Sequence, residues 1–142
     1  MLAPSDLFSL EARQGAYLRG SCLVGNRCVV GHTSEVKNAV LIDDAKAGHF
    51  AYIGDSILKN NVNLGAGTKL ANLKVTDSTI VLRIEKKRYE TGLRKFGAII
   101  VDRVETGCNS VTIPGTILGK GSMVFPNATV HPGFYPPRSL VR

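Results

Sequence analysis

Residues 12–47, cut in sixes, read ARQGAY LRGSCL VGNRCV VGHTSE VKNAVL IDDAKA, and this frame decides the fold. The first slot of successive blocks holds Ala12, Leu18, Val24, Val30, Val36 and Ile42. The fifth holds Ala16, Cys22, Cys28, Ser34, Val40 and Lys46. An aliphatic residue followed four positions later by a mostly small one fits a chain that turns a corner every six residues. Three such units close one coil of a triangular prism. The aliphatic side chain points inward and stacks on its equivalent one coil away. The small residue fits the corner, where Gly or Asn supplies backbone freedom.

The frame returns from residue 52 as YIGDSI LKNNVN LGAGTK LANLKV. It returns again from residue 100 as IVDRVE TGCNSV TIPGTI LGKGSM VFPNAT, followed by Val130. The expectation is one all-β domain over 1–142, a parallel β-helix with coils at about 12–75 and 100–130. Two stretches break the pattern. Between Ala47 and Tyr52, the residues Gly48, His49, Phe50 and Ala51 read as four extra positions. Residues 76–98, TDSTIVLRIEKKRYETGLRKFGA, carry no hexads. Their alternation around Ile80–Ile84 and Tyr89–Leu93 predicts a projecting loop or hairpin. A solenoid has two open ends to cover, and the first ten residues and the tail 131–142 are read as caps.

Composition agrees with many short strands. Apolar mass sits in Val, Ile, Leu and Ala, aromatics make up 6%, Trp is absent, and 15 glycines serve turns. No apolar run approaches the length of a membrane span, and the N-terminus lacks a basic segment followed by an apolar one, which predicts a cytoplasmic protein and no membrane partner. Cys22, Cys28 and Cys108 are odd in number and lack metal-ligand spacing. They read as reduced packing residues, and no structural metal is predicted. A net charge of +7 raises nucleic acid as a partner. The cations are spread out, however, and the cluster from Lys74 to Lys95 also holds Asp77, Glu85 and Glu90. No aromatics are interleaved with them as stacking platforms. A surface that collects small anions accounts better for the charge.

Phosphate-binding loops, nucleophile elbows, zinc-protease helices and paired CxxC motifs are all missing. His49 remains, inside the first interruption, with Tyr52 three residues on. Asn63 and Asn72 flank a Gly-Ala-Gly turn, and Arg19 and Lys37 come earlier. His32 and His131 have no such setting and read as ordinary partial-core or surface residues.

The run EVKNAVLIDDAKAGHFAYIGDSILKNNVNLGAGTKLANLKV, residues 35–75, resembles the acetyltransferase half of the bifunctional enzyme that makes UDP-N-acetylglucosamine. That enzyme joins glucosamine-1-phosphate acetyltransferase to N-acetylglucosamine-1-phosphate uridylyltransferase. The chain is also similar to the β-helix part of glucose-1-phosphate thymidylyltransferase-like proteins. The resemblance runs without gaps over roughly 18–75 and continues as generic hexads from Ile100 to about Val130. It implies a left-handed coil, which periodicity does not fix, and a homotrimer with its site between subunits. It implies acetyl-CoA as the acyl donor, His49 as general base, and Asn72 orienting the amine beside the acyl group. Arg19 and Lys37 match cations that hold the sugar phosphate, and Tyr52 and Asn63 match residues that hold the sugar. By the same resemblance Ala66 would line the coenzyme path, and Cys108 stands where the family has a small hydroxyl near the thioester.

Four departures count against a full match. A further phosphate-binding lysine is replaced by Ser78, for which Lys74 or Lys95 is the candidate substitute. The Cys-Asn-Tyr of the family reads Ala71-Asn72-Leu73. The coenzyme-clamping tail and the nucleotidylyltransferase domain have no counterpart in the chain, so nucleotidylyl transfer by this chain alone is not expected. Two readings follow. One is an acyltransferase that N-acetylates an amino-sugar 1-phosphate. The other is a non-catalytic sugar-phosphate-binding and trimerising module related to the nucleotidylyltransferases.

Overall fold

The computed structural model describes residues 9–142 and winds them into stacked coils, with one strand of each coil on each of three faces. The first coil is β1 (Leu10–Ala12), β2 (Tyr17–Leu18) and β3 (Leu23–Val24). The second is β4 (Cys28–His32), β5 (Glu35–Lys37) and β6 (Val40–Leu41), and the third is β7 (Lys46–His49), β8 (Tyr52–Gly54) and β9 (Ile57–Leu58). Strands β10 (Asn63–Leu64) and β11 (Lys69–Leu70) lead into a hairpin, β12 (Val81–Ile84) and β13 (Lys87–Glu90), before β14 (Ala98–Ile100) completes the fourth coil. Then come β15 (Glu105–Thr106), β16 (Val111–Thr112) and β17 (Thr116–Leu118), followed by β18 (Met123–Val124), β19 (Thr129–Val130) and β20 (Gly133–Tyr135). Strand β21 (Leu140–Val141) opens a seventh turn. The first sheet runs β1-β4-β7-β10-β15-β18-β21, the second β2-β5-β8-β11-β16-β19, and the third β3-β6-β9-β14-β17-β20. Neighbours within these sheets are parallel, and the whole is a left-handed β-helix.

One rule repeats at the corners. A residue with positive φ is followed by a small buried residue, then by an outward residue, then by the inward aliphatic. Asn38 (φ 47°), Ala39, Val40 and Leu41 follow it, as do Asp55 (φ 45°), Ser56, Ile57 and Leu58. Asn, Asp and Gly tolerate the left-handed region, which is why they crowd these corners. Buried corner hydroxyls are paired locally: Ser34 donates to the Ala47 carbonyl at 3.2 Å and accepts from the Ala51 amide at 3.1 Å. The inward column includes Val30, Val36, Leu41, Ala47, Ile53, Leu58, Leu64 and Leu70, each at most 3% exposed. Each fully buried large aliphatic stabilises the fold by about 1.5–3 kcal/mol.

This register corrects the sixfold frame. Leu41 and Ile53 face inward rather than Ile42 and Tyr52, and Ala39 and Ala45 fill the corners rather than Val40 and Lys46. The reason is a shortened face: the inward residues Val30, Ala47 and Leu64 pair in successive coils and lie 17 positions apart. The four residues after Ala47 are therefore no insertion. Gly48 and His49 belong to β7, whose His49 pairs with His32 of β4. The second interruption is the hairpin expected for 76–98, with Glu85 and Lys86 as its two-residue turn. Of the N-terminal segment read as a cap, residues 1–8 lie outside the described residues, and Leu10 already pairs with Cys28. The C-terminal tail contributes β20 and β21 to the third and first sheets. Cys28 is buried and its thiol is pushed up by that burial. Cys108 is exposed, so the packing reading does not hold for it. Among the described residues, no helix is long and apolar enough to cross a membrane.

Candidate active site

His49 ends β7 at the corner between the first and second sheets. Backbone hydrogen bonds tie this corner into one ladder. The carbonyl of His32 accepts from the Phe50 amide (3.0 Å), and that of His49 from Gly67 (3.0 Å). Those of Ala66 and Cys108 accept from Asn109 (2.8 Å) and Asn127 (2.9 Å). His32, His49, Ala66 and Cys108 therefore occupy one edge of the prism, in successive coils about 4.8 Å apart. The His49 ring is exposed and has no hydrogen-bond partner among the described residues; it lies 6.3 Å from Phe50. His32 contacts Phe50 edge-on at 5.9 Å, and its Nδ1 lies 2.7 Å from the Gln14 carbonyl. A ring nitrogen facing a carbonyl must carry the proton, so Nδ1 of His32 donates to Gln14.

The opposite edge of the second sheet holds a second cluster. Asn38, Asp55 and Asn72 stand 17 residues apart, two positions beyond the inward Val36, Ile53 and Leu70, and so share a corner column. Asp55 is its centre. Its side chain is 8% exposed; Oδ1 accepts from Nδ2 of Asn38 at 2.7 Å, and Oδ2 accepts from Nζ of Lys37 at 2.9 Å and from Nδ2 of Asn72. Burial works to raise the Asp55 pKa, but the hydrogen bonds from Asn38, Lys37 and Asn72 together hold it below the usual carboxylate value. Tyr52 donates from Oη to Oδ1 of Asn72 at 3.4 Å. Arg19, one turn from Lys37, pairs with Glu35 at 3.0 Å, and this hydrogen bond raises the guanidinium pKa.

The sequence-selected residues thus fall into groups. Lys37, Tyr52 and Asn72 meet around Asp55, with Arg19 nearby on Glu35. His49, Ala66 and Cys108 align on the other corner. Asn63 stands apart on the first sheet, beside a cleft of about 490 Å³ lined by Asp44, Lys46, Arg103 and Glu105. Lys74 does not reach the cluster; its amine is held by the Thr79 carbonyl at 2.8 Å, and Lys95 bridges to Leu73. Asp55, Glu35 and Asn38 were not singled out from sequence. The 17-residue spacing of Asn38, Asp55 and Asn72 was the available signal. Among the described residues, no group of three His, Cys, Asp or Glu side chains is placed to hold a metal.

The chain matches no protein-family model. It is 35% identical over 116 residues to a bifunctional sugar-1-phosphate nucleotidylyltransferase/acetyltransferase of Sulfurisphaera tokodaii, which covers 82% of the chain and 29% of that protein. It is 35% identical over 115 residues to the bifunctional protein GlmU of Methanococcus vannielii, covering 81% and 28%. To the GlmU of a Cyanothece species it is 37% identical over 115 residues, covering 81% and 22%. The chain spans less than a third of the length of these curated relatives. Among solved structures, the acetyltransferase domain of PglB from Neisseria gonorrhoeae superposes with a TM-score of 0.70. That match covers 90% of the chain and 52% of the domain at 16% identity, and shares the fold. The chain is therefore a sequence relative of the C-terminal, β-helix acetyltransferase part of the bifunctional GlmU-type sugar-1-phosphate nucleotidylyltransferases.

Proposed function

We propose that the protein transfers an acetyl group from acetyl-CoA to the amine of an amino-sugar 1-phosphate, with His49 as general base. The observation that carries this reading is the exposed imidazole of His49, with no described hydrogen-bond partner, on one prism edge with Ala66 and Cys108. Along that edge a pantetheine arm would lie extended, its thioester carbonyl beside His49. The amine nitrogen attacks this carbonyl, and His49 takes the proton released. The tetrahedral intermediate collapses by breaking the C–S bond, and the imidazolium returns the proton to the departing thiolate. Arg19 and Lys37 would hold the phosphate, and Tyr52, Asn63 and Asn72 the sugar.

A homotrimer belongs to the same proposal. His49 and Asn72 stand at opposite edges of the second sheet, separated by roughly 15 Å of extended chain. Copies packed side by side around a threefold axis would bring one edge of one copy against the other edge of the next. The reading includes a cytoplasmic location, where acetyl-CoA is available.

The test is direct. Purified protein is incubated with acetyl-CoA and a panel of amino-sugar 1-phosphates while thiol release is followed. Turnover with one of them, falling about 10²–10⁴-fold in His49→Ala, is expected. Absence of turnover throughout, or an unaffected His49→Ala, overturns the proposal. One observation favours the alternative, a non-catalytic sugar-phosphate-binding and trimerising module. Arg19 and Lys37 are each already paired with a carboxylate, Glu35 and Asp55, so the charge offered to a phosphate is partly offset. Stabilisation by sugar phosphates without any by coenzyme A would support that module.

A further inference from the structure

We infer that Asp55 is a positioning residue that fixes which end of the Asn72 carboxamide faces the substrate. The inference rests on the acyltransfer reading of the site, yet its geometry stands independently. An amide side chain has a donor end and an acceptor end, and only its partners decide their orientation. At Asn72 the partners fix the orientation: Nδ2 donates one of its two N–H bonds to Asp55, and Oδ1 accepts from Tyr52 Oη at 3.4 Å. The end on the Tyr52 side is therefore the acceptor, and Oδ1 keeps a second lone pair for a ligand there. An acceptor at that place suits an incoming amine, whose N–H it can take while the nitrogen lone pair is aimed at an acyl carbon. The reversed amide would present a donor and would compete for that lone pair.

Asp55 is suited to impose this choice. A carboxylate is acceptor-only, and here its two oxygens take three donors: Asn38 on Oδ1, Lys37 and Asn72 on Oδ2. It is 8% exposed, so water does not readily replace these partners. Its bond to Lys37 uses one of three N–H donors and aims that ammonium from a fixed point, leaving two for an anion. A neutral carboxamide in its place keeps the shape but has only one acceptor oxygen. Either Asn38 on one side or Lys37 and Asn72 on the other would then face an NH2 group.

The test compares wild type, Asp55→Asn, Asn72→Ala and the double variant in the full chain. Two readouts are used: the side-chain NH2 resonances of Asn72 by 15N NMR, and steady-state acetyl transfer. Asp55→Asn is expected to move the Asn72 NH2 resonances. It should lower kcat about 10–100-fold, as misplacement by about 1 Å does, and leave KM for acetyl-CoA unchanged. Because Asp55 acts through Asn72, the double variant should be no slower than Asn72→Ala alone. Multiplying effects, an unchanged kcat in Asp55→Asn, or a loss confined to KM for acetyl-CoA overturns the inference. Unmoved Asn72 resonances overturn it whatever the turnover. If those resonances move but wild type transfers no acetyl group, the acyltransfer reading falls and the orienting role of Asp55 stands.

Discussion

At Gly54 the absence of a side chain is a condition for the cluster around Asp55. A methyl group there would lie 2.7 Å from Nδ2 and 2.8 Å from Cγ of Asn72, and 2.8 Å from Cε1 of Tyr52. These atoms are the far ends of two side chains rather than backbone, and the φ of Gly54 is not positive. Gly54→Ala should therefore leave the coil standing while displacing Asn72 and Tyr52 from each other. The expected result is a stability loss under about 1 kcal/mol in urea with turnover lowered about tenfold. Unchanged turnover would separate the Tyr52–Asn72 pair from function. Tyr52 was visible in sequence because its motif is specific, and Asn72 because the resemblance runs on from that motif without gaps. Asp55 was hidden because an Asp after Gly at a corner reads as a turn residue. The column Asn38, Asp55 and Asn72 emerges only with a 17-residue coil, and counting in sixes places them out of line.

At the scale of elements, the hexads were legible wherever faces keep six residues, as from Ile100 to Val130, where every first slot faces inward. They misled where a face loses one residue, because a shortened corner mimics an insertion further on. The hairpin was legible as an element, since alternation replaces hexads there. Its anchoring was not: Ile80 is fully buried against the corner at Gly115, whose added methyl would meet the Ile80 side chain at 3.4 Å. The loop is also tied down by the Ile80 amide on the Leu93 carbonyl (2.8 Å) and the Phe96 amide on the Asn72 carbonyl (2.9 Å). Among the described residues, strands β12 and β13 hydrogen-bond as a two-stranded sheet of their own, and β12 also packs against β20. Ile80→Ala should cost about 2–5 kcal/mol. It should also raise proteolytic cleavage within 76–94 before the coils are attacked. Cleavage no faster than in wild type would show the hairpin to be held by other contacts.

For the whole molecule, the stacked strands of each described coil pair only with those of its neighbours, and the contact of β12 with β20 is the hairpin reaching past one coil, so stability accumulates along the stack. What the stack leaves unfinished is its outside. The outward column of the third sheet is apolar throughout: Leu23, Val40, Ile57, Ile99, Ile117 and Phe134 pair in register. Ile117 is 6% exposed, but Leu23 is 69% and Ile57 38% exposed, leaving an aliphatic strip along the early coils. The second sheet carries Tyr17, Glu35, Tyr52 and Lys69 outward instead, between the two corners that hold the site. Side-by-side copies would cover the strip and join His49 of one copy to the Asp55 cluster of another, so burial and site completion call for the same assembly. Unfolding would then be coupled to dissociation, and the melting temperature should rise with protein concentration. Light scattering should give three times the 15.2 kDa chain mass. A scattering mass of one chain, with a melting temperature independent of concentration, would leave His49 and Asn72 at opposite edges of an isolated face. Acetyl transfer by such a monomer would then have to proceed at His49 without the Asp55 cluster.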